Sequence, residues 1–277
     1  MAAHTITPNE RVTFRVHHED ADLLIVEKPA RVVTTPGVGH EHDTLLNGLF
    51  VEHGTRLQNL GASRDFGMLH RLDRETSGLL VVALSVRAYD ALRKTFESRD
   101  VRKFYWALTP KAPSDTAGVI RRPIIEVVRR KDRYTSQKLA KISTAGKPAL
   151  TAYRVLASGE LGAIIEARPV TGRLHQVRVH LKLIGCPILG DEVYAPQAVA
   201  GASPRLALHA HRLAFDHPIT GAPIDVRTRW PNDLKTTLRR LSLPRPDLES
   251  SGDAGDEVGG DPVGDEHAQV GEDPPTP

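Results

Sequence analysis

The stretch His70-Arg71-Leu72-Asp73-Arg74-Glu75-Thr76-Ser77-Gly78-Leu79-Leu80-Val81-Val82-Ala83-Leu84 constrains the chain more than any other, because it sets a charged cluster directly against an apolar run. Asp73 lies between Arg71 and Arg74, and nearby positive charge favours the ionised carboxylate. Six apolar residues, Leu79 to Leu84, stand between Gly78 and Ser85, the length and punctuation of a buried strand. A fold containing this junction must hold a sheet whose core strand starts beside that carboxylate. The residues alone fit two arrangements: a reactive group on a rigid support, or a solvated Arg-Asp-Arg turn, since purely structural ion pairs also perturb carboxylates.

The formal net charge of +3 conceals an asymmetry. Residues 245–277 hold ten Asp or Glu and one Arg, which leaves 36 basic against 24 acidic residues in 1–244, a net of +12. That balance suits a body that neutralises phosphates, and fits a generic basic surface as well. The terminal stretch ESSGDAGDEVGGDPVGDEHAQVGEDPPTP has little to bury, so 245–277 is expected to be a disordered, solubilising tail. Residues 1–244 are enough to bury a substantial core as one body. A single cysteine, Cys186, excludes an internal disulfide. The start, MAAHTITPNE, lacks the apolar core of a signal peptide, and no stretch approaches the ~20 apolar residues of a membrane span. A cytoplasmic protein without a membrane partner is expected.

Along the chain, residues 12–16 (VTFRV) and 22–28 (DLLIVEK) predict strands, the second ended by Lys28-Pro29 because proline cannot donate to a sheet ladder. Leu45, Leu46, Leu49 and Phe50 recur at helical spacing between Asp43 and His53, with Asp43 or Thr44 as cap. Ser85 caps a second predicted helix reaching about Arg99, with Tyr89, Leu92 and Phe96 on one face. In the strand 101–108, Phe104, Trp106 and Leu108 share a core face, while Lys103 and Tyr105 share the other, open to solvent or substrate. Residues 121–141 carry eight Lys or Arg against two acids, a strand-loop-strand excursion suited to phosphates or to plain solvation. Strands are expected at 150–156 and 161–168. Leu174, Val177, Leu181 and Ile184 form a helical stripe, and His175, Arg178 and Lys182 share its polar face, ordinarily a solvated one. His40-Glu41-His42 lacks a third ligand at a recognised spacing, and His209 and His211, on one face of a strand, have no acidic or cysteine partner nearby, so no metal is expected. The fold class is α+β, a central, largely antiparallel mixed sheet with flanking helices and loops.

Three blocks resemble a known family in its own order. The run HRLDRETSGLLVVAL resembles the signature of the RluA-type pseudouridine synthases, which isomerise uridine in structural RNA. Lys103-Phe104-Tyr105 matches the family's lysine-any-tyrosine motif, and Thr171-Gly172-Arg173-Leu174-His175-Gln176-Val177-Arg178 with Gly185-Cys186-Pro187-Ile188-Leu189-Gly190-Asp191 resembles its third block. Lys28-Pro29 through Gly37 resembles the first motif, with Arg31 where the family usually has glycine, and this resemblance implies that Lys28 faces RNA or a carboxylate. Pro123-Ile124-Ile125-Glu126 departs from the family's usual proline-isoleucine-glycine-arginine turn. The likeness spans roughly Asp22 to Pro231 and makes 1–244 a catalytic domain; too few residues precede the first motif for an S4-type RNA-binding domain.

The resemblance implies roles. Asp73 is the nucleophile, and Arg178 first or Arg173 second pairs with it. Tyr105 packs on the target base and is a candidate for proton transfer. Arg71, Arg74 and Lys103 bind RNA, Arg71 filling the stack that the extruded base vacates. His175 joins the substrate face, and Leu208 lines the uracil pocket. The isomerisation asks for no cofactor, and a covalent sugar adduct and a glycal route both fit. The expected partner is RNA, ribosomal or transfer, with no DNA, and a monomer is expected. A silent RNA-binding or ribosome-assembly protein on the same scaffold is the alternative; it binds RNA without releasing tritium from 5-labelled uridine. A carboxylate-nucleophile glycosidase lacks a second carboxylate suited to acid catalysis, Glu75 being the nearest.

Overall fold

The apolar run after Asp73 is a strand buried along its whole length, and a mixed sheet is built outward from it. A computed structural model describes residues 6–130 and 136–246; the expected tail lies almost entirely outside the described residues. The strands are β1 (Arg15–Glu19), β2 (Leu23–Lys28), β3 (Ser77–Ala83), β4 (Arg102–Thr109), β5 (Ala117–Arg121), β6 (Ile124–Arg130), β7 (Ser136–Ile142), β8 (Leu150–Gly159), β9 (Gly162–Pro169), β10 (Leu208–Asp216) and β11 (Pro223–Arg227). Nine of them form one sheet in the order β1-β2-β3-β10-β4-β9-β8-β5, with β11 on β10. β6 and β7 make a separate antiparallel hairpin. Pairing is antiparallel except between β3 and β10, so the expected α+β class with a largely antiparallel mixed sheet is what the chain forms.

The parallel contact explains Gly78. Its φ of 122° is one that side chains rarely adopt, and an added Cβ would stand 2.2 Å from the Ala210 carbonyl oxygen. Gly78→Ala is expected to destabilise the protein by at least about 2 kcal/mol in urea melts, since strain and overlap act on one core strand.

Helices α1 (Leu45–Leu60) and α2 (Val86–Glu97) cover β2 and β3, burying Leu45, Leu49, Leu57 and Leu92 against Leu23–Val26 and Leu79–Ala83. Each fully buried leucine contributes roughly 2 kcal/mol. Thr44 rather than Asp43 caps α1, exchanging hydrogen bonds with Asn47, and Ser85 caps α2 as expected. A second core joins Trp106, Leu108, Ile164 and Ile165 to Val177 and Leu181 of α3 (Gln176–Leu183). A third, smaller one joins the hairpin to α3 through Ile124, Ala140, Ala149, Val179 and Tyr194.

Some expectations are corrected. The first strand starts at Arg15, not Val12: Val12 packs so closely on α1 that a Cβ at Gly48 would meet its carbonyl oxygen at 2.6 Å. Arg31 does stand at a glycine-like position, with φ 68°, and its guanidinium donates to the Pro204 carbonyl at 2.8 Å. The polar face of α3 is solvated only at Lys182, which is exposed. His175 precedes the helix in a left-handed conformation, and Arg178 is only 6% exposed.

His209 and His211 sit inside the sheet. His209 shares hydrogen bonds with Ser77 Oγ (2.8 Å) and Thr228 Oγ1 (2.6 Å), and the His211 ring stacks on Trp106 at 3.9 Å. His211 does have an acidic partner, Glu166 at 3.0 Å, brought from β9 by the fold. Among the described residues no cluster of three or more potential ligands could hold a metal. Burial first, then the neighbouring His211 and Arg205, push His209 well below the ordinary histidine value. The unfolded chain therefore binds a proton that the folded state refuses, so stability is full above pH ~6.5 and falls as pH drops below it. Urea midpoints should decline between about pH 6.5 and 5, less steeply in His209→Gln. An identical slope in the variant would assign the acid sensitivity elsewhere.

Candidate active site

The loop that presents Asp73 is tied from below. Thr34 Oγ1 donates to the Leu72 carbonyl (2.9 Å) and accepts from the Leu72 amide (3.2 Å), while Leu72 itself is buried. The Thr76 amide donates to the Asp73 carbonyl at 3.1 Å, closing a turn. Lys28 does not face RNA. Fully buried, its ammonium donates to the carbonyls of Pro29 (2.8 Å), Val32 (2.7 Å) and Arg74 (3.3 Å), so it fastens the end of β2 to the loop. Burial pushes Lys28 down to about 7, against the pull of Asp73 and Glu75.

The Asp73 carboxylate is one-quarter exposed and meets Arg178, whose Nη1 donates to Oδ2 at 3.1 Å. The rest of that guanidinium forms a two-pronged pair with Asp191, Nε and Nη2 each donating at 2.8 Å. Asp191 Oδ1 also accepts the Val193 and Tyr194 amides at 3.0 Å. A fork held on one edge by a buried carboxylate cannot swing, so its remaining N–H is aimed at Asp73. Burial opposes the Arg178 charge, but Asp191 and then Asp73 outweigh it and raise the guanidinium above its ordinary value. His175 Nε2 lies 3.8 Å from the same Asp73 oxygen, and burial holds that imidazole below its usual value despite the nearby carboxylate.

A cavity of about 920 Å³ opens over these groups, lined by Arg71, Asp73, Lys103, Tyr105, Arg173, His175, Arg178 and Leu208. Tyr105 and Lys103 reach it from one face of β4 while Phe104, Trp106 and Leu108 are buried on the other. Burial and then the Asp73 charge raise the Tyr105 phenol, which stays protonated. Burial brings Lys103 down to about 8.

Of the nine residues singled out, eight line the cavity. Arg74 does not; it is exposed and pairs with Glu75 at 3.7 Å. Arg173 lines the cavity but donates to the Pro148 carbonyl at 3.0 Å, whereas Arg178 is the arginine bonded to Asp73. Two residues of the site were given no role from sequence: Asp191, which grips Arg178, and Tyr194, whose ring centre lies 4.9 Å from that guanidinium. A signal for the first was available in Gly190-Asp191. Gly190 has φ 77°, and a Cβ there would stand 1.8 Å from the Arg205 carbonyl oxygen, so Asp191 follows an obligatory turn.

The sheet that carries this cavity superposes on solved pseudouridylate synthase domains. The human structure "RNA Pseudouridylate Synthase Domain Containing 4" superposes with a TM-score of 0.65 at 28% identity, covering 84% of this chain and 94% of that one. "Human RNA Pseudouridylate Synthase Domain Containing 1" gives 0.59 at 26% identity, covering 87% of this chain and 99% of that one.

Residues 22–183 match the family described as RNA pseudouridylate synthase, and the chain belongs to that family. "Ribosomal large subunit pseudouridine synthase D" of Zymomonas mobilis is 35% identical over 240 residues, covering 84% of this chain and 74% of that protein. A Bacillus subtilis relative, "Uncharacterized RNA pseudouridine synthase YlyB", is 34% identical, with the same coverage of both chains. The chain is an RNA pseudouridine synthase of the RluA type, an isomerase whose substrate is RNA.

Proposed function

We propose that this enzyme converts uridine to pseudouridine in large-subunit ribosomal RNA, with Asp73 as nucleophile, Arg178 as the residue that aims it and Tyr105 as the stacking partner of the base. The observation that carries the residue roles is the Asp73–Arg178–Asp191 chain at the cavity floor. The RNA class is supported by relatives named "Ribosomal large subunit pseudouridine synthase D" in Zymomonas mobilis, Neisseria meningitidis and Pseudomonas aeruginosa, at 34–35% identity.

The target uridine leaves its stack at a cost of a few kcal/mol and enters the cavity. Arg71, exposed at the rim, fills the gap, and Lys103 and Arg173 meet phosphates. The uracil lies between the Tyr105 ring and Leu208. The N1–C1′ bond breaks, the base turns, and a C5–C1′ bond forms; C5 loses its proton and N1 gains one, so the product is an isomer. Asp73 acts on the sugar carbon, as an adduct-forming or a proton-abstracting carboxylate. Tyr105, kept protonated, offers a ring face and an O–H rather than a competing anion. No net oxidation occurs and no second substrate enters. Residues 1–244 act as one catalytic unit, monomeric and cytoplasmic, with 245–277 as a solubilising appendage; among the described residues no helix is long and apolar enough to cross a membrane.

Carbodiimide mapping of ribosomal RNA from cells with and without this protein tests the assignment. At least one large-subunit stop is expected to vanish in its absence and return with the wild-type gene. Loss confined to transfer RNA would move the substrate class.

A further inference from the structure

The β6–β7 hairpin stands apart from the main sheet and exposes Arg129, Arg130, Lys138 and Lys141. Its base is fastened toward α3. Ile124 and Ala140 pack with Val179 and Tyr194, His180 Nε2 bonds the Arg122 carbonyl at 2.9 Å, and the Ala140 amide donates to the Tyr194 hydroxyl at 2.8 Å. That last bond reaches further than the hairpin. The Tyr194 hydroxyl, already accepting from Ala140, lies 2.7 Å from His175 Nδ1, and donation of its O–H there gives each partner one role and turns the other ring nitrogen's hydrogen toward Asp73. His175 Nδ1 is then the acceptor, and Nε2 carries the hydrogen. It is Nε2 that faces Asp73 Oδ2 at 3.8 Å. The Tyr194 ring meanwhile lies 4.9 Å from the Arg178 guanidinium, and its backbone amide binds Asp191, the carboxylate that grips Arg178. One residue touches the hairpin and both groups beside the nucleophile.

We infer that Tyr194 is a positioning residue that couples seating of the basic hairpin on RNA to the orientation of His175 and Arg178 around Asp73. Phosphate contacts draw on β7, Ala140 lies on β7, and the hydroxyl it engages fixes the tautomer and rotation of His175. A poorly seated RNA therefore meets an imperfectly set nucleophile, and the hairpin contributes to rate as well as to affinity. The inference rests on the synthase reading above and adds to it a residue and a link.

The test is a double-mutant cycle on the full-length protein, read as single-turnover tritium release from a bacterial large-subunit ribosomal RNA transcript containing 5-tritiated uridine. Tyr194→Phe keeps the ring beneath Arg178 and removes only the hydroxyl. It is expected to slow the step about tenfold with RNA affinity within about twofold of wild type. Lys138→Ala with Lys141→Ala should weaken binding and also slow the step. Added to Tyr194→Phe, the lysine pair should weaken binding as before but slow the step by less than about twofold more. Rate losses that multiply independently overturn the inference. His175→Asn, a residue that tolerates left-handed backbone, breaks the same link from its other end and must show the same non-additivity, which covers a Tyr194→Phe protein that fails to fold. A second readout is independent of turnover: the His175 ring lines the cavity and its resonance should shift when the unlabelled transcript binds either protein, but by clearly less in Tyr194→Phe, where only direct contact with the RNA remains. Equal shifts in the two proteins overturn the coupling whether or not tritium is released, whereas a smaller shift in Tyr194→Phe without tritium release upholds the coupling and sinks the synthase reading alone.

Discussion

Asp73→Asn is expected to abolish pseudouridine formation, lowering single-turnover rates by at least about 10³-fold, as for other nucleophile deletions. RNA affinity and melting temperature should stay near wild type. The geometry separates these outcomes. Asp73 is one-quarter exposed and makes a single hydrogen bond with Arg178, whose stronger two-pronged partner is Asp191. Replacing the carboxylate by its amide therefore strands no buried charge, while the nucleophilic anion is gone. Turnover within about tenfold of wild type would remove Asp73 from the chemistry.

Arg178 carries the second large effect, and here activity and stability fall together. Arg178→Met is expected to destabilise the fold by about 3–5 kcal/mol, because it leaves Asp191 buried without its counter-charge. Asp191 is only 1% exposed, and two backbone amides are its remaining hydrogen-bond partners. Adding Asp191→Asn neutralises the orphan and keeps an acceptor for those amides, so part of the stability should return. Activity should not return, because nothing then aims Asp73. Urea melts and tritium release on the two variants check this pair of outcomes. Recovery of both properties together would show that Arg178 serves folding alone.

The legible part of the molecule was the part encoded locally. The core strand after Asp73, the caps at Thr44 and Ser85, and the two faces of β4 each follow from a short pattern of polarity, and the structure places them within a residue or two. Arg178 and Asp73 are 105 residues apart, and only the resemblance to a family linked them before the geometry showed a 3.1 Å contact. What pattern could not reach was polarity hidden inside the fold. A helix bearing His175, Arg178 and Lys182 reads as solvated, yet Arg178 is buried because Asp191 arrives from the following loop to neutralise it. Lys28, expected to face RNA or a carboxylate, is instead buried on backbone carbonyls, one of them in a turn 46 residues distant. Glu166 as the partner of His211 comes from a strand pairing that no local window contains.

The most direct measurement is tritium release by the purified wild-type protein from a large-subunit ribosomal RNA transcript made with 5-tritiated uridine. Formation of the C5–C1′ bond requires loss of the C5 hydrogen, so each pseudouridine made sends one tritium to water. Release that saturates at a small whole number per transcript, absent with Asp73→Asn, is the expected result. Tight binding of that transcript and of bulk cellular RNA with no tritium released would contradict the account and leave an RNA-binding protein on a synthase scaffold.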